Sequence, residues 1–145
     1  MTEFGVQSWL FWALLSAVFA ALTAIFAKLG IADINADMAT FIRTIVVVVL
    51  LGVMVVATGK FQSLGKISPR VWFFLLLSGF ATGASWVCYF RALKIGDAAR
   101  VAPIDKLSVV LVAVIGVGFL GEHLSLQGWA GIVLIAFGAA LVAIA

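Results

Sequence analysis

The residues able to do chemistry in this 145-residue chain are few, and they sit in apolar surroundings. Arg43 stands beside Thr40 and Thr44. Asp105 and Lys106 follow Pro103 and precede Ser108, and Lys28 closes an alanine-rich stretch. Further along, Ser78, Thr82, Ser85 and Tyr89 recur at i, i+4, i+7 and i+11, one continuous face of a helix, while Gly79, Gly83, Trp86 and Phe90 form the adjoining face. Hydroxyls on one helix face beside isolated charges should face other helices or a wet cavity instead of lipid. Bond-breaking chemistry is not indicated, because Cys88 is alone, His123 is the single histidine, and neither a metal cluster nor a Ser, His and acid arrangement can be assembled. The expectation is therefore a non-enzyme with no cofactor and no metal.

The elements that must position these residues follow from composition. Hydrophobic residues make up 66% of the chain and charged residues 10%, and the mean hydropathy is +1.30. A water-soluble fold of this size would leave much of that apolar surface wet, so the solvent must be a bilayer. No charged side chain occurs from Phe4 to Ala27, Thr44 to Gly59, Val71 to Phe90, Leu107 to Gly121 or Leu124 to Ala145. Crossing about 30 Å of hydrocarbon at about 1.5 Å per residue takes roughly 20 residues. That length predicts five transmembrane helices near 8–28, 38–58, 71–93, 101–120 and 127–144, in one domain over residues 1–145. Membrane β-strands are excluded, because Ile45 to Val56 is apolar almost throughout instead of alternating. Gly30, Gly59 with Lys60, Gly65 to Pro69, and Gly96 with Asp97 stand where helices should stop. A cleaved signal peptide is not expected, since the first apolar segment is long and Glu3 occupies a position that should be basic. The multi-pass chain is expected in the plasma (inner) membrane, and Cys88 is read as a small apolar side chain within it.

Net charge is +3, and it comes from junction Lys and Arg residues that anchor helices at headgroups, so nucleic-acid binding is not implied. Lys60, Lys66 and Arg70 fall on one side of the membrane; Lys28, Arg91, Lys94 and Arg100 fall on the other, with Arg43 and Lys106 near that boundary. Neither face dominates, which leaves both a fixed orientation and insertion in both orientations open. Two oppositely inserted copies of a five-helix chain would form an inverted pair, an architecture that places a transport site at the bilayer midplane.

Small residues at helical spacing, among them Ala13, Ala17, Ala20, Ala24, Gly79, Gly83, Gly131 and Gly138, allow close helix approach within the chain or between copies. The hydroxyl face of segment three either lines a wet cavity or bonds a neighbouring helix. Arg43 lies about one turn into segment two, where a central charge costs at least about 2.5 kcal/mol, so it either snorkels or serves a cavity. Asp105 admits two readings. In the first turn of a helix opened by Pro103 it would satisfy amides and the dipole; if the helix begins near Asp97, Pro103 is internal, frees the Ala99 carbonyl and kinks the span beside polar groups. Glu122 and His123 form a headgroup-level junction.

The run SWVCYFRALKIGD from Ser85 to Asp97, the following AAxVAPIDKLS, and FLGEHLSLQGWAGIVLIAFGAALV from Phe119 to Val142 resemble the EamA-type repeat of the drug/metabolite transporter superfamily. FAKLG at Phe26 to Gly30 and the basic Arg43 in the second helix are similar to the same repeat, and Gly121-Glu122 followed by Trp129-x-Gly131 is the most specific piece. The resemblance implies a five-helix, single-repeat member that moves small organic metabolites, often outwards, by alternating access as a homodimer, possibly antiparallel. It implies a substrate site of Lys28, Arg43, Thr82, Ser85, Trp86, Tyr89, Asp105, Lys106 and Ser108, with Pro103, Gly79, Gly83 and Gly131 as hinge or packing positions. Related small multidrug resistance proteins carry a carboxylate in the first helix; here no acid lies between Phe4 and Leu29, which disfavours cation export by that chemistry. The gathering of Lys28, Arg43 and Lys106 favours an anionic or zwitterionic metabolite. The competing reading is a membrane subunit that does not transport but stabilises a partner half-transporter.

Overall fold

The computed structural model describes residues 3–144, and side chains from Trp9 onward. Met1, Thr2 and Ala145, the ends of the expected domain, lie outside the described residues, as does the Ser8 side chain at the expected start of the first helix. The chain forms α1 (Glu3–Gly30), α2 (Ala36–Ala57), a 3-10 turn (Leu64–Lys66), α3 (Pro69–Ile95), α4 (Ala98–Asp105), α5 (Ser108–Phe119) and α6 (Leu126–Ile144). No strand occurs among the described residues. Five stretches, Trp9–Gly30, Ala36–Ala57, Pro69–Ile95, Ala98–Phe119 and Leu126–Ile144, are long and apolar enough to cross a membrane.

The helix ends follow from local chemistry. Asn35 caps α2: its Oδ1 accepts from the amides of Asp37 at 2.8 Å and Met38 at 3.4 Å, and Asp37 places a negative charge in the first turn. At the other end Gly59 takes φ +64°, so that its amide donates to Val56 and the Lys60 amide to Val55, both at 3.1 Å. This 6→1 and 5→2 pair satisfies carbonyls that the helix would otherwise orphan. Pro69 starts α3, where its missing N–H costs nothing, and the Ser68 hydroxyl accepts from the Val71 amide at 3.4 Å.

The fourth span departs from expectation. One helix over 101–120 was expected, but α4 begins at Ala98 and stops at Asp105, and α5 starts anew at Ser108. Pro103 is therefore internal to α4, and the alternative placing Asp105 in a first turn behind Pro103 does not hold. With no N–H at Pro103, the Ala99 carbonyl loses its helical donor. The backbone then tightens: Leu107 donates to Ile104, Val109 to Lys106 and Val110 to Leu107, each an i to i−3 bond at 3.0 Å.

The chain divides into two compact units, one comprising 1–25 and 95–145, the other Phe26–Lys94. In the first, α4 and α5 pack against α6, and the Arg100 Nη2 donates to the Ala143 carbonyl at 2.8 Å, capping the end of α6. In the second, Ile31, Ala36, Ala39, Thr40, Phe90 and Leu93 are buried, Leu93 completely. Most other apolar side chains are exposed, Phe80 at 79% and Phe119 at 87%, as suits a surface solvated by lipid.

Candidate functional site

Within the Phe26–Lys94 unit, Arg43 projects from the second turn of α2, and its guanidinium carbon lies 4.2 Å from the centroid of the Trp86 ring and 5.4 Å from that of Phe90. Trp86 and Phe90 are four residues apart on α3, so both rings present to the same point. The quadrupole of an aromatic face attracts a cation most when the pair is shielded from water, and here Phe90 is buried and Arg43 and Trp86 are half-buried. Tyr89, half-buried, pairs edge-on with Phe90 at 6.5 Å between centroids. Arg43 has no carboxylate or carbonyl partner among the described residues.

Three other cations of this unit, Lys28, Lys94 and Arg91, are engaged. Lys28 Nζ donates to the Leu93 carbonyl at 2.8 Å. Lys94 Nζ donates to the carbonyls of Ile31, Ala32 and Ile34 at 2.6, 2.7 and 3.1 Å. Arg91 forms a two-pronged pair with Asp37, Nε to Oδ1 at 2.8 Å and Nη2 to Oδ2 at 2.7 Å. These contacts fasten the α1–α2 turn and the start of α2 to the end of α3. Arg43 thus differs from its neighbours in having rings beneath it and open donors around its edge.

The hydroxyls behave more locally than their spacing suggested. Thr40, Thr44 and Thr82 each donate back to the carbonyl four residues earlier, at 2.9, 2.7 and 2.9 Å. Ser78, Thr82 and Ser85 are exposed. Gly79 and Gly83 line an open apolar groove of about 540 Å³ with Leu75, Leu76, Phe80 and Ala84, and a Cβ at either glycine would meet nothing within 4 Å. The same is true of Gly131, so none of the three is needed for close approach as the chain stands.

In the other unit, Asp105 and Lys106 pair at 3.2 Å at the break between α4 and α5, Asp105 half-buried and Lys106 exposed, with Ser108 opening α5 and Pro103 half-buried inside α4. Non-helical backbone with a carboxylate and an ammonium at membrane depth is tolerated where it lines a cavity or lies buried in protein. At the end of α5, Gly121 takes φ +69°, which brings the Glu122 amide to the Gly116 carbonyl at 3.0 Å, and the Glu122 side chain folds over Gly116.

Sequence reasoning had not singled out Phe90 as part of the cation shelf, nor Asp37 and Lys94 as fasteners. The i, i+4 spacing of Trp86 and Phe90 was a signal for the shelf. Nothing local signalled that Asp37, 54 positions before Arg91, would be its partner.

The EamA-like transporter family matches residues 7–144. A Sinorhizobium sp. protein named "Uncharacterized transporter in cobO 3'region" is 62% identical over 138 residues, covering 95% of this chain and 98% of that protein. No solved structure matches the chain.

Proposed function

Because the chain belongs to the EamA-like transporter family, and is a membrane transporter with five membrane-spanning stretches in the plasma membrane, we propose that it exports a small anionic or zwitterionic organic metabolite by alternating access as a dimer. In this reading residues 1–145 act as one EamA-type repeat, and a second copy, inserted in the opposite sense, completes the pathway. Lys28, Arg43, Thr82, Ser85, Trp86, Tyr89, Asp105, Lys106 and Ser108 contact the solute. The interrupted fourth span around Pro103 supplies the hinge, and the glycine faces of Gly79, Gly83 and Gly131 are open to a neighbouring helix. No covalent step occurs and no cofactor takes part.

Arg43 is the observation that carries the substrate charge. A guanidinium held among aromatic rings without a counter-ion favours an anion as its occupant. The test is reconstitution into liposomes and measurement of solute efflux from a loaded mixture of organic anions, zwitterions and cations, with and without a proton gradient. Selective movement of anions or zwitterions is the expected result. Failure to move any solute in either condition would remove the transport reading.

A further inference from the structure

We propose that the edge of the Arg43 guanidinium is the receptor for the carboxylate of an organic monocarboxylate, with Trp86 and Phe90 as the shelf that holds it at depth. This deepens the transport reading above and takes its setting from it.

Depth comes first. Arg43 stands seven residues after Ala36, the start of α2, about 10 Å along the helix. Trp86 stands nine residues before Ile95, the end of α3, about 13 Å along its helix. These two helix ends are fastened together by the Arg91–Asp37 pair and by Lys94 on the Ile34 carbonyl. A guanidinium carbon 4.2 Å from the Trp86 centroid and 5.4 Å from that of Phe90 is therefore held beside α3 about two to three turns from its end, whereas a snorkelling arginine would extend away from the rings towards headgroups.

Valence comes next. Lys28 is engaged with the Leu93 carbonyl, Lys94 with three carbonyls, and Arg91 with Asp37. Arg43 itself presents one positive charge over the rings with no carboxylate partner among the described residues, which matches a singly charged carboxylate and falls short of a phosphate dianion. The Asp37 carboxylate is already taken by Arg91, so it does not compete for Arg43.

Geometry decides the group. A guanidinium is planar, and a ring beneath it occupies a face while leaving the N–H edge, which receives a carboxylate through two parallel hydrogen bonds. The rings also offer an apolar surface to the organic body of the acid. Thr40 and Thr44 spend their hydroxyl protons on their own helix, at 2.9 and 2.7 Å, so the donors to the carboxylate come from Arg43.

The experiment uses the full chain in nanodiscs of phosphatidylcholine, titrated by calorimetry with acetate, butyrate and benzoate, and with inorganic phosphate and choline for comparison. At least one monocarboxylate should bind saturably and in preference to phosphate and choline. Arg43→Gln should weaken it about 30-fold or more, the loss of a two-pronged charged contact. Arg43→Lys should restore little, because a point charge does not reproduce the fork. Trp86→Phe keeps a ring and should retain binding by calorimetry while abolishing the carboxylate-induced change in tryptophan fluorescence, a readout independent of any folding defect in the Arg43 variants.

Absence of saturable binding by all three acids, preference for phosphate, binding unchanged in Arg43→Gln, or a fluorescence change that persists in Trp86→Phe would each overturn the assignment. So would loss of acid binding on adding phosphatidylglycerol, since a lipid headgroup would then be the natural anion. Acid binding without flux in liposomes would sink transport and leave the receptor standing; flux of uncharged or cationic solutes without acid binding would do the reverse.

Discussion

Lys28 and Lys94 cap each other's helices. Lys28, in the last turn of α1, donates to the Leu93 carbonyl near the end of α3 at 2.8 Å, and Lys94, in the last turn of α3, donates to the Ile31 carbonyl just beyond α1 at 2.6 Å. Both ammonium groups thus sit at the negative end of a helix dipole while closing carbonyls that the helix leaves without partners. Ile31 and Leu93, whose carbonyls are used, are also among the most buried side chains in the protein, at 1% and 0% exposed. Polar fastening and apolar burial therefore coincide at this junction.

Lys94→Met should weaken the fold. It strips donors from three carbonyls in the α1–α2 turn, and a charged hydrogen-bond centre of this kind is worth on the order of 2 kcal/mol. Thermal unfolding in detergent should show a clearly lower midpoint. An unchanged midpoint would mean that water replaces the ammonium without loss.

The Arg91–Asp37 pair is exposed, and its effect on stability should be small but coupled. Asp37→Asn and Arg91→Gln are each expected to lower the unfolding midpoint slightly, and the double variant no further than the worse single one. Simple additivity in that cycle would show that the two side chains act independently in solution.

Gly121 should resist a side chain because of its backbone. At φ +69° an L residue pays about 1–2 kcal/mol, so Gly121→Ala is expected to destabilise by about that much. Gly118→Ala, where a Cβ meets nothing within 4 Å, is the matched control and should stabilise slightly or be neutral. Gly116→Ala should fall between them, since its Cβ would displace only the flexible end of Glu122.

Pro103→Ala should separate movement from stability. Restoring an N–H opposite the Ala99 carbonyl adds a helical bond within α4 and removes the ring, so stability should hold or rise. Liposome flux should slow several-fold if the interrupted span is the hinge. Unaltered flux would place the hinge elsewhere.

Insertion in both senses predicts a labelling pattern. In a Cys88→Ser background, Ser63→Cys in the α2–α3 connection and Asp97→Cys between α3 and α4 should each react partially with a membrane-impermeant thiol reagent on intact cells. Complete labelling of one and none of the other would establish a fixed orientation and direct attention to an oppositely inserted partner.

The five spans were legible without coordinates, because charge in a bilayer is costly enough that the gaps between charged residues alone mark where helices cross. The stop at Gly59 was equally local, since the residue type and its immediate neighbours settle it, whereas the Asn35 cap and the turn at Gly121 were not singled out although their chemistry is as local. Pro103 was read correctly as an alternative, yet its effect hung on whether the helix began at Asp97 or beyond, a matter of a few residues. The pairings were beyond reach. Arg43 could find Trp86, Lys28 could find Leu93, and Arg91 could find Asp37 only once helices distant in sequence lay side by side. Sequence by itself determined which segments enter the membrane and which charges go with them, through the free energy of transferring each side chain from water to lipid. Tertiary structure decided which of those charges are consumed as fasteners and which one, Arg43, is left over aromatic rings with its donors open, because that depends on distances between chain segments that no local preference encodes.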